Sequence, residues 1–177
     1  MQSGHAGVQI PLPALKHIDI AKTFGKYCHS KKNDYNVIDI VLFGSVAKKH
    51  LNPKDIDIML IHENPVFEKI QSLHGKDYCS NDIQRFQLLD KMLQEYNYPS
   101  IIEVMKNDII AEAISKNIIN LRYLNKNFFH DKIYYEGEIL RNVDPKFFDK
   151  IFEYALLWNP QTENYDIPIK NKYNLLK

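Results

Sequence analysis

Two acids separated by a single apolar residue, Asp55-Ile56-Asp57, open the run Asp-Ile-Asp-Ile-Met-Leu-Ile61. Side chains alternate along a strand, so Asp55 and Asp57 share one face while Ile56 and Ile58 share the other. The two carboxylates are then roughly 6.6 Å apart along the strand. At an effective dielectric near 20 their repulsion is on the order of 2–3 kcal/mol. A segment that needed only to be a stable strand would not carry both. A divalent cation reverses the sign of the interaction, and Mg²⁺ prefers hard carboxylate oxygens.

Ahead of the pair, Ile40-Val-Leu-Phe43 stops abruptly at Gly44-Ser45, and nine residues separate Ser45 from Asp55. Gly44 lets a backbone come close to a phosphate, and Ser45 adds a hydroxyl donor where a helix or turn starts. Lys48 follows closely enough to counter triphosphate charge. A third acid, Glu103, is flanked by Ile101, Ile102, Val104 and Met105, the pattern of another strand. With that strand beside the one carrying Asp55 and Asp57, the three carboxylates converge, an arrangement suited to two Mg²⁺ ions, for which Mn²⁺ can substitute. One ion would activate an attacking hydroxyl and the other would steady a leaving pyrophosphate.

The elements that place these residues follow from periodicity. A continuous apolar, β-branched run over 37–43 predicts a buried strand, and 55–61 predicts a second. Ile18, Ala21, Phe24 and Cys28 recur at helical spacing within 15–28. Residues 64–98 read as helical with an interruption near His74-Gly75, and 101–105 as the third strand. Ile110, Ala113, Ile114 and Leu121 predict a helix from Asp108 to about Leu124. The run Ile133 to Leu140, with Glu136-Gly137 as a turn signal, predicts a short strand or hairpin. Phe147, Phe148, Ile151, Phe152, Ala155 and Leu156 form an amphipathic stripe, either core or a contact with a second copy or a partner protein. A polar tail begins at Asn159.

The order of apolar strand, Gly-Ser, a gap of nine, then Asp-apolar-Asp-apolar resembles the DNA polymerase β-type nucleotidyltransferase superfamily. The small size resembles its minimal members, among them bacterial toxin–antitoxin nucleotidyltransferases and antibiotic adenylyltransferases. The likeness covers roughly residues 36–105. It implies an α/β (α+β) fold, a small mixed β-sheet with flanking helices, built from an N-terminal helix and start (1–35), a nucleotidyltransferase domain (36–140) and a C-terminal helix and tail (141–177). It also implies transfer of a nucleoside monophosphate from an NTP, with ATP foremost, to a hydroxyl on a small molecule, a protein or an RNA end. In that scheme Asp55, Asp57 and Glu103 hold the metals, Glu103 helps deprotonate the acceptor, and Gly44, Ser45 and Lys48 bind the nucleotide. The chain departs from the family where minimal members often carry Arg and Gly: here Lys48 and Lys49 stand, and lysine lacks the bidentate fork. The third carboxylate is Glu rather than the commoner Asp.

Composition bounds the remaining readings. The chain has 177 residues, 45% hydrophobic and 25% charged, enough for a packed domain. Lys and Arg total 23 against 22 Asp and Glu, a net charge of +1, so nucleic acid would have to be met by a local patch such as Lys31, Lys32, Lys48 and Lys49. Two cysteines, Cys28 and Cys79, fit a reducing compartment and exclude a disulfide framework. The first residues lack a basic region followed by an apolar stretch, and apolar runs stay far below the ~20 residues of a membrane span, so a cytoplasmic location is expected. His74, Cys79 and Cys28-His29 lack the paired spacing of a zinc site, and His62 reads as a strand-end surface residue. Two rival classes stand beside the enzyme: a nucleotide-binding or regulatory protein on the same fold, and an RNA-directed transferase.

Overall fold

A computed structural model describes residues 16–73, 82–102 and 106–175. Five strands form one mixed sheet: β1 (Val37–Phe43), β2 (Ile56–His62), β3 (Ile119–Asn125), β4 (Leu156–Asn159) and β5 (Asn164–Pro168), in the order β3-β2-β1-β4-β5. β2 and β3 run parallel; every other pair of neighbours is antiparallel. Among the described residues the helices are α1 (His17–Lys31), α2 (Gly44–Ala47), α3 (Pro65–Ser72), α4 (Asp82–Glu95), α5 (Asp108–Ser115), α6 (Lys132–Arg141) and α7 (Phe147–Glu153). The expected α+β arrangement of a small mixed sheet with flanking helices is what the chain adopts.

Alternation in the central strands divides the core in two. Ile40 and Leu42 of β1 and Ile56, Ile58 and Leu60 of β2 face a layer made by α1, α3, α4 and α5, with Ile20, Phe24, Phe67, Leu93 and Ile110 buried against them. Val41 and Phe43 with Met59 and Ile61 face the other way, onto Phe128, Phe148, Ile151 and Phe152. The stripe on α7 is therefore spent inside the chain's own core. Because both faces of β1 and β2 are covered, the strands read as continuous apolar runs interrupted only where a polar side chain has work to do. A strand exit is fixed by Asn64: its side chain accepts from Val66 N (2.9 Å), capping α3, and donates to Tyr35 O (2.9 Å).

The structure corrects several expectations. The helix expected from Asp108 to about Leu124 stops at Ser115, and the strand beside β2 is β3, not the segment 101–105. Asn117 adopts a left-handed conformation (φ 56°), Asn117 N donates to Ile114 O and Ile118 N to Ala113 O. Those two bonds close the helix end and turn the chain straight into β3. Ile101 and Ile102 belong to no strand, and 103–105 lie outside the described residues, as does the interruption near His74-Gly75. The tail beyond Asn159 is not loose: β5 pairs with β4 and completes the sheet.

Residues 133–140 form helix α6 rather than a strand or hairpin, because Asp131 caps it by accepting from Ile133 N (2.9 Å). Gly137 sits inside this helix, and a Cβ built there meets nothing within 4 Å. Gly137→Ala is therefore expected to stabilise the protein by about 0.5–1 kcal/mol, read from urea midpoints. An unchanged or lowered midpoint would mean that the glycine serves a contact not provided within the chain.

His62 also departs from expectation. It ends β2 but is fully buried, packed edge-on against Phe67 (5.3 Å between centroids), with Nδ1 accepting from Asn64 N (2.9 Å). Burial pushes its pKa down from 6.5 to about 4. The folded protein thus holds His62 neutral while the unfolded chain takes up a proton below pH 6.5. Stability is present above that pH and is lost as the pH falls toward 4, by on the order of 3 kcal/mol. His62→Leu is expected to flatten the fall in urea midpoint between pH 7 and pH 4. An equally steep fall in the variant would assign the acid sensitivity elsewhere.

Candidate active site

Strand β1 delivers the chain to Gly44, and β2 brings Asp57 back beside it, with Phe43 and Asp57 paired across the ladder. Gly44 has φ +71°, and a methyl group there would overlap Asp57 Oδ2 outright and sit 3.1 Å from its Cγ. Both the conformation and the space demand glycine. Gly44 and Ser45 open the single turn of α2, whose end repeats the device seen after α5. Lys49 is left-handed (φ 59°), Lys49 N donates to Val46 O and His50 N to Ser45 O. Position 49 is thus one where glycine is favoured, and Lys49 carries local strain on the order of 1 kcal/mol. Lys48 is exposed, its ammonium 5.4 Å from the centre of the Tyr154 ring.

Asp55 and Asp57 lie on the face expected from alternation, at the edge of the second core and partly open to solvent. In the parallel register of β2 with β3, Asp57 stands opposite Asn120. The Asn120 amide donates to Asp55 Oδ2 (2.8 Å) and, more weakly, to Asp57 Oδ1 (3.4 Å). Burial, and then the neighbouring Asp55 charge, push the Asp57 carboxyl above the usual range, while the Asn120 hydrogen bond and Arg122 pull it back.

Arg122 and Asn120 are residues that the sequence reading missed. Arg122 lies two positions after Asn120 on the same face of β3, with its guanidinium carbon 4.7 Å from the centre of the Phe147 ring. Burial lowers its pKa, against which the Asp57 charge acts most strongly. Beyond it lies Glu138 of α6, whose carboxyl burial pushes up and which Arg141 pairs at 2.5 Å. A row of alternating charge therefore runs from Asp57 through Arg122 and Glu138 to Arg141. The signal was in the sequence: Ile119-Asn-Leu-Arg-Tyr alternates apolar with polar residues directly after a Lys-Asn helix stop.

Glu103 lies outside the described residues. Its convergence with the pair rested on a strand over 101–105 next to β2, and that place belongs to β3. Ser100 is held by the Tyr35 hydroxyl (2.9 Å), at the end of β1 opposite Gly44. Among the described residues no group of three or more His, Cys, Asp or Glu is gathered in a way that could hold a metal. The donors at the site are two crowded carboxylates and one amide. All are hard oxygen ligands once the amide presents its oxygen, and the like charges favour a cation between them, so the set fits Mg²⁺ or Mn²⁺ rather than a softer ion.

No described helix is long and apolar enough to cross a membrane. A family model described as "Nucleotidyltransferase domain" matches residues 22–135, more than half of the chain. The matched segment runs from α1 to α6 and contains Gly44, Ser45, Asp55, Asp57, Asn120 and Arg122. No curated protein and no solved structure matches.

Proposed function

Since the chain belongs to the nucleotidyltransferase domain family, we propose that it moves a nucleoside monophosphate from an NTP, ATP foremost, to a hydroxyl acceptor in an Mg²⁺-dependent reaction. The observation that carries this reading is the pairing of Asp55 and Asp57 on one face with a glycine turn so close that no side chain fits between. In the step itself, the acceptor oxygen bonds to the α-phosphorus as its proton passes to solvent water. The bond from that phosphorus to the oxygen bridging to the β-phosphate breaks, and pyrophosphate departs.

Asp55 and Asp57 would hold the metal. Bound there, Mg²⁺ supplies positive charge to the triphosphate and makes the acceptor hydroxyl more acidic. Gly44 and Ser45 would take the β- and γ-phosphates, since a chain without a Cβ allows the closest backbone approach. Lys48, exposed beside the turn, is free to leave the Tyr154 ring for the triphosphate. Arg122 acts against the upward shift of the Asp57 carboxyl and so favours its ionised, ligating form. The crowding of the acids that Asn120 and Arg122 leave in place would be relieved by a bound cation, which couples metal and nucleotide loading.

The test is transfer of label from each α-labelled NTP, with Mg²⁺, into the protein itself, bulk RNA, lysate proteins and small metabolites, beside Asp57→Asn. Label that enters one fraction and is lost in the variant would establish the reaction and give the acceptor class. NTP binding without labelling in any fraction would favour a nucleotide-binding regulatory protein. If neither is seen, the reading is wrong.

A further inference from the structure

The residue on β3 in register with Asp57 is neutral. Asn120 reaches both acids, at 2.8 Å from Asp55 Oδ2 and 3.4 Å from Asp57 Oδ1, where a carboxylate would have completed a cluster of three. Its amide offers hydrogen-bond donors on nitrogen and an acceptor on oxygen. With the nitrogen turned toward the acids, it holds two like charges together. With the amide turned over, it offers one neutral oxygen to a cation. The charge at the site is set accordingly: Asp55 and Asp57 contribute −2, and Arg122, on the same face as Asn120 and acting on Asp57, offsets part of that. A second divalent ion would find little net negative charge left to bind. No other described His, Cys, Asp or Glu joins the pair to make a three-ligand group.

We propose that Asn120 is the positioning residue of the acid pair and that its neutral amide limits the nucleotide-free site to one divalent cation. This rests on the reading of Asp55 and Asp57 as metal ligands and specifies how that site is loaded. A site of this kind depends on the triphosphate's own charge to bring any further ion, so loading is ordered, with nucleotide ahead of a second metal.

The test is equilibrium binding of Mn²⁺ to the full chain without nucleotide, followed by the electron paramagnetic resonance of free Mn²⁺, with thermal unfolding in EDTA alongside. Wild type is expected to bind one ion per chain. Asn120→Asp should bind Mn²⁺ at least tenfold more tightly and melt at a lower temperature in EDTA, a gain and a loss that a merely structural role would not pair. Asn120→Ala should bind several-fold more weakly. Two ions on the nucleotide-free wild type, or Asn120→Asp and Asn120→Ala both binding like wild type, would overturn the inference. Loss of the wild-type ion in Asp57→Asn would in those cases leave the proposed reaction standing. A wild type that binds no Mn²⁺ without nucleotide would overturn the inference alone, the proposed reaction being decided separately by label transfer with NTP present.

Discussion

Asp57→Asn is expected to lower nucleotidyl transfer at least a thousandfold and, in EDTA at neutral pH, to raise the melting temperature. The first effect corresponds to about 4 kcal/mol of lost transition-state stabilisation, a size consistent with removing a ligand carboxylate while leaving its shape. The second follows from the direction in which the Asp57 carboxyl is shifted. Burial first, and the Asp55 charge second, push its pKa up in the folded protein. An acid raised in this way favours folding below its unfolded pKa and loses that contribution as the pH climbs through the folded value. At pH 7 the ionised form is therefore a cost to the metal-free protein, and an amide of the same shape removes it. The gain is limited because Asn120 and Arg122 already offset part of the charge. Melts of wild type and variant in EDTA should converge as the pH falls below about 4. Retained turnover in a clean variant would remove Asp57 from the mechanism, and a lower melting temperature in EDTA would contradict the crowding of the pair.

Gly44→Ala is expected to cost a hundredfold or more in transfer together with about 1–2 kcal/mol of stability. Two causes act together. A left-handed φ of +71° is costly for any residue with a Cβ. The new methyl group would also overlap Asp57 Oδ2, forcing the carboxylate out of the position opposite Asn120. The two causes separate in a double-mutant cycle. Asp57→Ala removes the Oδ2 and Cγ that the methyl meets, so Gly44→Ala should destabilise that background less than it does wild type. Strict additivity would assign the whole effect to backbone strain and none to contact with the acid.

The half of the site on β1 and β2 was legible because its pattern is local. A buried strand, a glycine turn and an alternating Asp-Ile-Asp-Ile lie within one short stretch, and strand geometry alone puts both acids on one face. The half on β3 was not, because helical spacing runs on by coincidence: Ile110, Ala113 and Ile114 are followed by Leu121 on the same face about two turns later. What ends α5 is the left-handed Asn117, and a single asparagine is a weak mark beside four well-spaced apolar residues. Glu103 attracted attention because its neighbours Ile101, Ile102 and Val104 are β-branched. Yet Asp90 accepts hydrogen bonds from Ile101 N (2.7 Å) and the Ser100 hydroxyl (2.8 Å), tying those two residues to α4. In α6 the β-branched and aromatic residues argued for a strand, but the Asp131 cap outweighs them. None of the α6 residues is fully buried, and only Tyr135 and Ile139 pack partly against the second core.

The parallel pairing of β2 with β3 also sets the order in which the molecule can be made. β1 and β2 are joined by the stretch 44–55, which holds only α2, and can meet early, whereas β2 and β3 are separated by the whole segment between His62 and Ile119, with α3, α4 and α5 between them. Closing so long a loop is entropically slow, and contacts across it form late. Asn120 and Arg122 arrive only with that closure. β4 and β5 come later still from the ribosome, yet β4 must pair with β1 before the sheet is complete. A growing chain therefore exposes Asp55 and Asp57 as two uncoordinated acids for much of its synthesis. Under the proposed function, competence to bind metal and nucleotide would come last, with the finished sheet, and a partly made or misfolded chain would have no assembled site with which to consume NTP.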